Sequence, residues 1–439
     1  MAGMSRTMRQ LLVSPLFRNA FLIMSSNAIG SVLGFFFWLI VARFYSTTDV
    51  GYAVALIQAI SFLGALSTLG LGTAIIRFLS ETERKTSLVN TAATIVGLGA
   101  LILAAVFAIG IGLWAPELSF IQGNPVYLAA TLVATVAIAL AIVYDQTSYA
   151  IRRADVLLWK TLILAIAKIP LAFLFAAISQ TQGRLGVFLA LALAYVFASL
   201  IEILVVLPRI LSGYRPRPQL AFDQIRPLLR FSLGNYASSS IGAAGGLLLP
   251  ILILDVLGPT GAAKVAFFYI AGVVAGLLSI IPSAVFASFY AEASHLPANR
   301  ARDELKAIRL TVVLLTPAIT FVWLFSKTML TWFGNPAYAA ESVAPLRILI
   351  FASIPTFLNS ILATRIQIRK RSGPLIMAST IQTVFTLTLG VFLLQTSGIE
   401  GMALATVLGG AAATPYYYLV AHKSFEDVAI PPVGPPNQL

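Results

Sequence analysis

The chain of 439 residues contains no cysteine and only two histidines, His295 and His422. The absence of cysteine excludes disulfide bonds, thiolate metal sites and thiol catalysis. Charged residues are also scarce, at 10% of the sequence, whereas hydrophobic residues make up 59% and the mean hydropathy is +0.92. An average globular protein has about 25% charged residues, which cover its wetted surface. The composition therefore predicts a protein whose solvent is lipid.

Long apolar stretches recur along the whole sequence, many of them reaching the ~18 residues that indicate a membrane-spanning helix. A membrane β-barrel would instead show alternating segments of about 10 residues. We therefore predict an all-α, polytopic membrane protein with about twelve transmembrane helices. Their predicted ranges are 19–42, 51–75, 87–113, 126–147, 157–178, 186–207, 232–254, 263–286, 307–326, 343–363, 374–395 and 399–420.

Most of the 29 lysines and arginines fall in alternate loops, on one side of the predicted membrane. Short loops rich in Lys and Arg stay in the cytoplasm, so both chain ends are predicted to be cytoplasmic. This is the orientation of a multi-pass protein of the cytoplasmic (inner) membrane. The formal net charge of +13 comes mainly from these loops and indicates contact with membrane lipids, with no role for nucleic acid.

The longest predicted cytoplasmic connection, 208–230, is rich in proline and arginine and separates two sets of six predicted helices. Sliding one set over the other aligns Gly30 with Gly242 and Gly34 with Gly246, which indicates an internal repeat. Because six is even, both sets begin on the same side and are related by an axis along the membrane normal. We predict two six-helix bundles that enclose a central cavity. The predicted domains are an N-terminal bundle at 1–212, a C-terminal bundle at 213–425 and a cytoplasmic tail at 426–439.

Lys168 is the one Asp, Glu, His, Lys or Arg residue near the middle of a predicted helix. A lysine at the bilayer centre costs roughly 2.5–3.5 kcal/mol on insertion scales, so it is expected to face the protein interior. Two interpretations stay open: a binding site for an anionic group, or a lysine that extends to the membrane interface without a role in transport. Glu202, on the sixth predicted helix, is a candidate charge partner of Lys168 if the two helices are neighbours.

Other charged residues near helix ends are further candidates. Arg77 suits a phosphate, because a guanidinium donates two parallel hydrogen bonds, although a purely interfacial arginine is an alternative. Arg347, at the outer end of the tenth predicted helix, is a second candidate ligand for the same anion. Arg43 and Asp49 flank the first outer turn, where we expect an ion pair or a gating role. In the alignment of the two halves, Asp255 is the residue of the second half that is equivalent to Arg43.

Four runs within roughly the first 85 residues carry a resemblance to a known family. They are Ile29-Gly-Ser-Val-Leu-Gly-Phe35, Val41-Ala-Arg-Phe44, Asp49-Val-Gly-Tyr52 and Leu69-Gly-Leu-Gly-Thr-Ala-Ile-Ile-Arg-Phe-Leu-Ser80. These runs resemble the polysaccharide-unit, or O-antigen type, flippases of the multidrug, oligosaccharidyl-lipid and polysaccharide exporter superfamily. They are also similar to the lipid II flippase branch, but Ser31 and Phe37 replace two arginines of that branch, which disfavours a peptidoglycan precursor as cargo.

The resemblance implies a flippase that works by alternating access. Its substrate is expected to be an oligosaccharide linked to a polyprenyl phosphate or pyrophosphate, used for cell-surface polysaccharide such as lipopolysaccharide. A coupling ion or the membrane potential as energy source, and glycan polymerase machinery as partner, are left open by the resemblance.

Two rival functions are considered, a transporter of the same superfamily and an enzyme of another class. A multidrug or cation antiporter of the same superfamily would favour carboxylates within the first and seventh helices, but the first has none and Asp255 lies only at the outer end of the seventh. A membrane-embedded glycosyltransferase would need a cluster of acidic residues or histidines, and neither histidine lies in a predicted helix. The phosphate-binding pattern of ATPases is absent from the sequence. We therefore expect a transporter, not an enzyme, with no cofactor and no metal site.

Overall fold

A computed structural model describes residues 15–178, 186–221, 228, 229, 232, 236, 240–295, 300–368 and 373–426. These residues form helices joined by turns and loops, and no strand occurs among them. The all-α prediction is therefore confirmed. Of the predicted tail at 426–439, all residues after Glu426 lie outside the described part of the chain.

Besides the four-residue helices Ile111–Trp114 and Leu207–Ile210, the described residues of the first half form seven α-helices. They are α1 (Pro15–Phe44), α2 (Thr47–Ser67), α3 (Leu71–Phe78), α4 (Lys85–Ile109), α5 (Pro125–Ala150), α6 (Ala154–Ile178) and α7 (Gly186–Ile201). A polar cap fixes where α5 begins: the side chain of Asn124 accepts hydrogen bonds from the backbone of Val126 and Tyr127, and Pro125 takes the first position of the helix. Helix α7 continues through a π-helical turn, Glu202–Val206, to Ile210.

The second half also contains seven α-helices among its described residues. They are α8 (Leu249–Leu257), α9 (Gly261–His295), α10 (Arg300–Thr331), α11 (Pro336–Glu341), α12 (Val343–Leu349), α13 (Ser353–Ile368) and α14 (Gly373–Glu426). Residues 240–247, just before α8, are helical as well. Helix α14 is interrupted at Gly398, whose φ of 60° and ψ of −144° are not helical, and therefore has two arms.

Ten helical stretches of the described chain are long and apolar enough to cross a membrane. Two of them, Leu249–Tyr290 and Gly373–His422, contain a glycine with positive φ, at Gly258 and Gly398. The chain folds back on itself at Gly398, because a Cβ atom on Gly409 would lie 3.1 Å from the carbonyl oxygen of Gln382. Counting both arms of each interrupted stretch gives twelve spanning segments, which agrees with the prediction.

Equivalent helices of the two halves pack in the same way. A Cβ atom on Gly30 of α1 would lie 3.2 Å from the side chain of Thr161 on α6. In the second half, a Cβ atom on Gly242 would lie 3.6 Å from the side chain of Ser379 on α14. In each half, a glycine of the first spanning segment thus faces a small side chain of the fifth, which allows the backbones to approach closely. This correspondence agrees with the internal repeat of the sequence.

The largest cluster of buried apolar side chains is shared by both halves. It includes Val50 and Ile60 of α2 together with Val265 and Ile270 of α9. All four side chains are fully buried. The two sets of helices are therefore held together by one apolar core.

Candidate functional site

The two halves meet mainly where α2 packs against α9, and we call this contact region the seam. We call the end of the bundle that holds the turn after Phe44 the outer end, following the predicted orientation, and the opposite end the inner end. Near the outer end, Gly51 is so close to α9 that a Cβ atom would lie 1.6 Å from the carbonyl oxygen of Ala262. Near the inner end, the hydroxyl of Tyr236 donates a hydrogen bond to the carbonyl of Leu66. Helix α2 therefore contacts the second half at both of its ends.

Aromatic side chains of α1 extend the seam in its outer part. The ring of Trp38 makes an edge contact with Tyr269 of α9, with 4.9 Å between the ring centroids. The ring of Phe35 makes a similar contact with Phe333, at 5.7 Å. Such edge-to-face pairs contribute beyond the apolar area that they bury, by about 0.5–1.5 kcal/mol each. They help to keep the outer end of the seam closed in this structure.

Lys168 lies on α6 with its side chain half-buried. Its ammonium nitrogen is 4.9 Å from the centroid of the fully buried Phe37 ring, which is a cation–π distance. Phe37 in turn contacts Trp38, at 5.2 Å between centroids, and Trp38 belongs to the seam. No carboxylate of the described residues forms an ion pair with Lys168. Two aromatic side chains, Phe37 and Trp38, thus separate the candidate cation from the second half, and no carboxylate in the described part of the protein balances its charge.

The depth of Lys168 agrees with a position well inside the membrane. Helix α6 begins at Ala154, three residues before the predicted span. Lys168 is fourteen residues further on, which places it about 21 Å along the helix axis at ~1.5 Å per residue. The whole helix is about 37 Å long by the same measure. Lys168 therefore lies slightly beyond the middle of α6, toward the outer end.

Arg77 and Arg347 occupy other levels of the protein. Arg77 is exposed in the last turn of α3, at the inner end, with its guanidinium 5.4 Å from the Phe78 ring. Arg347 is half-buried on α12, where its Nε donates a 3.1 Å hydrogen bond to the hydroxyl of Ser326 and its guanidinium lies 4.8 Å from the Trp323 ring. The three candidate cations thus lie at the inner end, in the middle and toward the outer end, on three different helices.

The structure corrects the expected pairing of Glu202 with Lys168. Glu202 faces Lys160 instead, with 3.3 Å between Oε2 and the ammonium nitrogen. The same ammonium donates a 2.6 Å hydrogen bond to Asp145 and a 3.0 Å bond to the carbonyl of Ala141. Lys160 lies two turns, about 12 Å, closer to the inner end than Lys168. Glu202 starts the π-helical turn near the inner end of its own segment, so the nearer lysine meets it.

The structure also corrects the expected ion pair between Arg43 and Asp49. The Nε of Arg43 donates a 2.9 Å hydrogen bond to the carbonyl of Trp332, in the second half. Asp49 belongs to the cap of α2: its carboxylate accepts a 2.6 Å hydrogen bond from the hydroxyl of Ser46, and that hydroxyl accepts a 3.1 Å bond from the backbone of Asp49. The capping role holds Asp49 locally, while Arg43 links the two halves at the outer end.

Asp255 lies in the wall of a cavity of about 460 Å³ that is lined by residues of both halves. The other residues that line this cavity are apolar, among them Ala59, Phe62, Leu252 and Val391. The Oδ1 atom of Asp255 is buried and has no hydrogen-bond partner among the described residues. Elsewhere in the described part of the chain, no group of three or more His, Asp or Glu side chains is placed to hold a metal ion.

Sequence reasoning missed Lys160 and the aromatic pair of Trp38 and Tyr269. The predicted span starts at residue 157, so Lys160 lies close to its cytoplasmic end. It is therefore grouped in the sequence with the basic residues of the cytoplasmic loops. In the structure it is the sixth residue after Ala154 and its side chain is only 15% exposed. Two acidic residues, Asp145 and Glu202, near the inner ends of neighbouring spans were the available signal for a buried partner.

Twelve spanning segments, in two equivalent halves that meet along a continuous seam, define the fold of a membrane transporter. Several solved structures share it, among them a flippase and two transporters. A lipid II flippase, MurJ, in an inward closed conformation superposes with a TM-score of 0.73 at 13% identity, over 92% of this chain and 87% of that one. An inward-facing multidrug resistance MATE family transporter gives 0.62 at 16% identity, over 93% and 98% of the two chains. A MOP superfamily transporter from Pyrococcus furiosus gives 0.62 at 14%, over 97% and 99%.

At these identities the three structures show the fold alone, and the family comes from the sequence. A family model described as polysaccharide biosynthesis protein matches residues 16–291, well over half of the chain. The chain therefore belongs to this family, which confirms the resemblance seen in its first helices. No curated protein sequence matches it.

Proposed function

We propose that this protein moves a lipid-linked oligosaccharide across the cytoplasmic membrane for the synthesis of cell-surface polysaccharide. The membership in the polysaccharide biosynthesis family supports a role in polysaccharide synthesis, and the transporter fold supports the movement of a substrate. A glycan headgroup cannot cross hydrocarbon unaided, because each unpaired polar group costs several kcal/mol there. The seam between the two halves offers a protected route for it.

The observation that carries the proposal is the unbalanced charge of Lys168. A half-buried ammonium in the middle of a spanning helix, with no carboxylate partner among the described residues, is costly to maintain. A phosphate or pyrophosphate that joins the glycan to its lipid supplies the missing negative charge. Charge-assisted hydrogen bonds of this kind are among the stronger ones in proteins. Lys168 is therefore the proposed phosphate ligand in the middle of the membrane.

The two arginines extend the route to both membrane surfaces in this proposal. Arg77, exposed at the inner end of α3, captures the phosphate from the inner leaflet. Lys168 holds it midway, and Arg347 receives it toward the outer end. The polyprenyl tail stays in the bilayer while the headgroup passes between the halves.

Opening of the outer end has to separate the contacts that close it. Arg43 is assigned a gating role, since its hydrogen bond to the carbonyl of Trp332 joins the halves there. Asp255, at the edge of the cavity between the halves, is assigned to the same movement. Asp49 contributes by fixing the start of α2 through its cap.

The remaining parts of the proposal concern the surroundings of the protein. We place it in the cytoplasmic membrane with both chain ends in the cytoplasm, as the distribution of basic residues indicates. The membrane potential or a coupling ion drives the movement, and glycan polymerase machinery acts on the product outside. An O-antigen unit of lipopolysaccharide is the proposed cargo.

A null strain tests this function directly. We expect it to lose surface polysaccharide and to accumulate lipid-linked oligosaccharide that is accessible only from the cytoplasmic side. Complementation with the wild-type gene restores export, and the Lys327→Ala variant is a suitable control, since Lys327 is exposed on α10. A null strain with normal surface glycan but new sensitivity to cationic dyes would replace the proposal with a multidrug exporter.

A further inference from the structure

A second charged site lies in the first half, near its inner end and apart from the proposed phosphate route. Three consecutive spanning segments each contribute one side chain to it: Asp145 from α5, Lys160 from α6 and Glu202 from the π-helical turn after α7. We call these three residues the inner charge cluster. Its two carboxylates share one ammonium, at 2.6 Å from Asp145 and 3.3 Å from Glu202.

Glu202 is the poorly compensated member of the inner charge cluster. Its side chain is only 3% exposed, and neither carboxylate oxygen has a hydrogen-bond partner among the described residues. Lys160 donates its short hydrogen bond to Asp145, and its approach to Glu202 does not meet hydrogen-bond geometry. With both acids ionised, the cluster would hold one net negative charge in a water-poor part of the bundle, which is strongly disfavoured.

The neighbouring titratable groups do not remove this imbalance. Tyr149 of α5 and Tyr195 of α7 lie beside Asp145 and Lys160. Tyr144 of α5 is near Glu202, and its hydroxyl is hydrogen-bonded to that of Tyr214, in the connection after α7. Burial raises the pKa of the Tyr214 hydroxyl, so that it stays neutral. Tyrosine hydroxyls of this kind add no positive charge, so Lys160 stays the one cation that forms ion pairs with the two acids in the described part of the chain.

We propose that the inner charge cluster is a proton-binding site, with the exchangeable proton on Glu202. A proton from the cytoplasmic water bonds to one oxygen of the Glu202 carboxylate and makes that group neutral, leaving Asp145 and Lys160 as a balanced pair. A sodium ion fits this site less well, because the Lys160 ammonium already occupies the space between the carboxylates. Release of the proton restores the net negative charge.

The position of Glu202 connects proton binding to the backbone. It is the first residue of the π-helical turn Glu202–Val206, and such turns occur often at functional sites. The segment then leads into the connection between the two halves, which is docked on α4 by a 2.9 Å hydrogen bond from the amide of Asn90 to the carbonyl of Arg215. Use of the proton as a coupling ion rests on the proposed flippase function, whereas proton binding itself does not.

Infrared spectroscopy of the full chain in lipid nanodiscs tests the site without any glycan substrate. All samples carry Asp255→Asn, because Asp255 also has a buried oxygen without a partner. We expect a carbonyl band of a protonated carboxyl group that titrates with pH. Glu202→Gln should abolish this band, and Asp145→Asn should abolish it too, since Lys160 then balances Glu202 alone.

Two further samples make the test decisive. Lys160→Met should strengthen the band, because both acids then lack a cation. Glu304→Gln is the matched control: Glu304 has its own cation, Arg365, at 2.6 Å, and the variant should leave the band unchanged. Absence of the band at every pH at which the protein stays folded would overturn the proposal. Persistence of the band in Glu202→Gln, or its loss when sodium is added at constant pH, would overturn it as well.

Discussion

Gly51 of the first half lies against the backbone of Ala262 of the second half with no room for a side chain between them. A Cβ atom at position 51 would be 1.6 Å from the carbonyl oxygen of Ala262 and 3.1 Å from its Cα atom. No rotamer change relieves such an overlap, because the neighbour is backbone. The closed outer end of the seam therefore depends on glycine at this position.

Gly51→Ala should force the outer end of the seam apart. The reporter is Ala266→Cys, a fully buried position one helical turn beyond Ala262 on the same face of α9. Because the natural chain has no cysteine, an impermeant maleimide added from outside reports on this position alone. We expect weak labelling with Gly51 present and strong labelling in Gly51→Ala.

The control for this experiment is Gly34→Ala, since a Cβ atom on Gly34 would meet no atom within 4 Å. This variant should label as weakly as the parent. Equal labelling of the reporter in Gly51→Ala and Gly34→Ala would show that the contact with Ala262 does not close the seam.

Topology can be tested with the same cysteine-free background. Ser212 follows the sixth spanning segment and Ala340 lies on α11, and both are exposed. Single cysteines at these positions should react with an impermeant maleimide from opposite sides of the membrane, Ala340→Cys in intact cells and Ser212→Cys only after the membrane is opened. Reaction of both in intact cells would contradict the proposed orientation.

Much of the fold was predictable because it depends on length and hydropathy. The spans, the turns between them and the glycines of the repeat follow from local sequence, and Gly258 and Gly398 mark where two long helical stretches reverse. Side-chain partners were less predictable, since they depend on helix rotation. Lys160 and Lys168 lie on the same helix, and only the packing of α6 against α7 decides which of them meets Glu202.

The pairing of Lys160 can be tested through stability. Lys160→Met leaves Asp145 and Glu202 without their cation, and removal of one partner from a buried ion pair typically costs ~3–5 kcal/mol. Lys264→Met is the matched comparison, because Lys264 forms a 2.6 Å ion pair with Glu341 at the surface, where both side chains are at least one-third exposed. Such pairs contribute below ~1 kcal/mol.

We therefore expect Lys160→Met to lower the thermal unfolding midpoint, followed by tryptophan fluorescence, clearly more than Lys264→Met does. The double variant Lys160→Met with Glu202→Gln should recover part of this loss, since it removes one of the two carboxylates. Equal midpoints for the two single variants would contradict the buried cluster.

The central claim, that Lys168 binds the phosphate of a lipid-linked oligosaccharide in transit, is tested most directly with purified protein in proteoliposomes. The measurement is the rate at which a labelled polyprenyl-phosphate oligosaccharide becomes accessible to a glycosidase outside the vesicles. One charge-assisted interaction contributes ~1.5–3 kcal/mol, so Lys168→Ala should slow the rate by about tenfold or more. Lys168→Arg should retain more activity than Lys168→Ala or Lys168→Gln, and Lys327→Ala should match the wild type. A Lys168→Ala protein that moves the substrate as fast as the wild type would contradict the account.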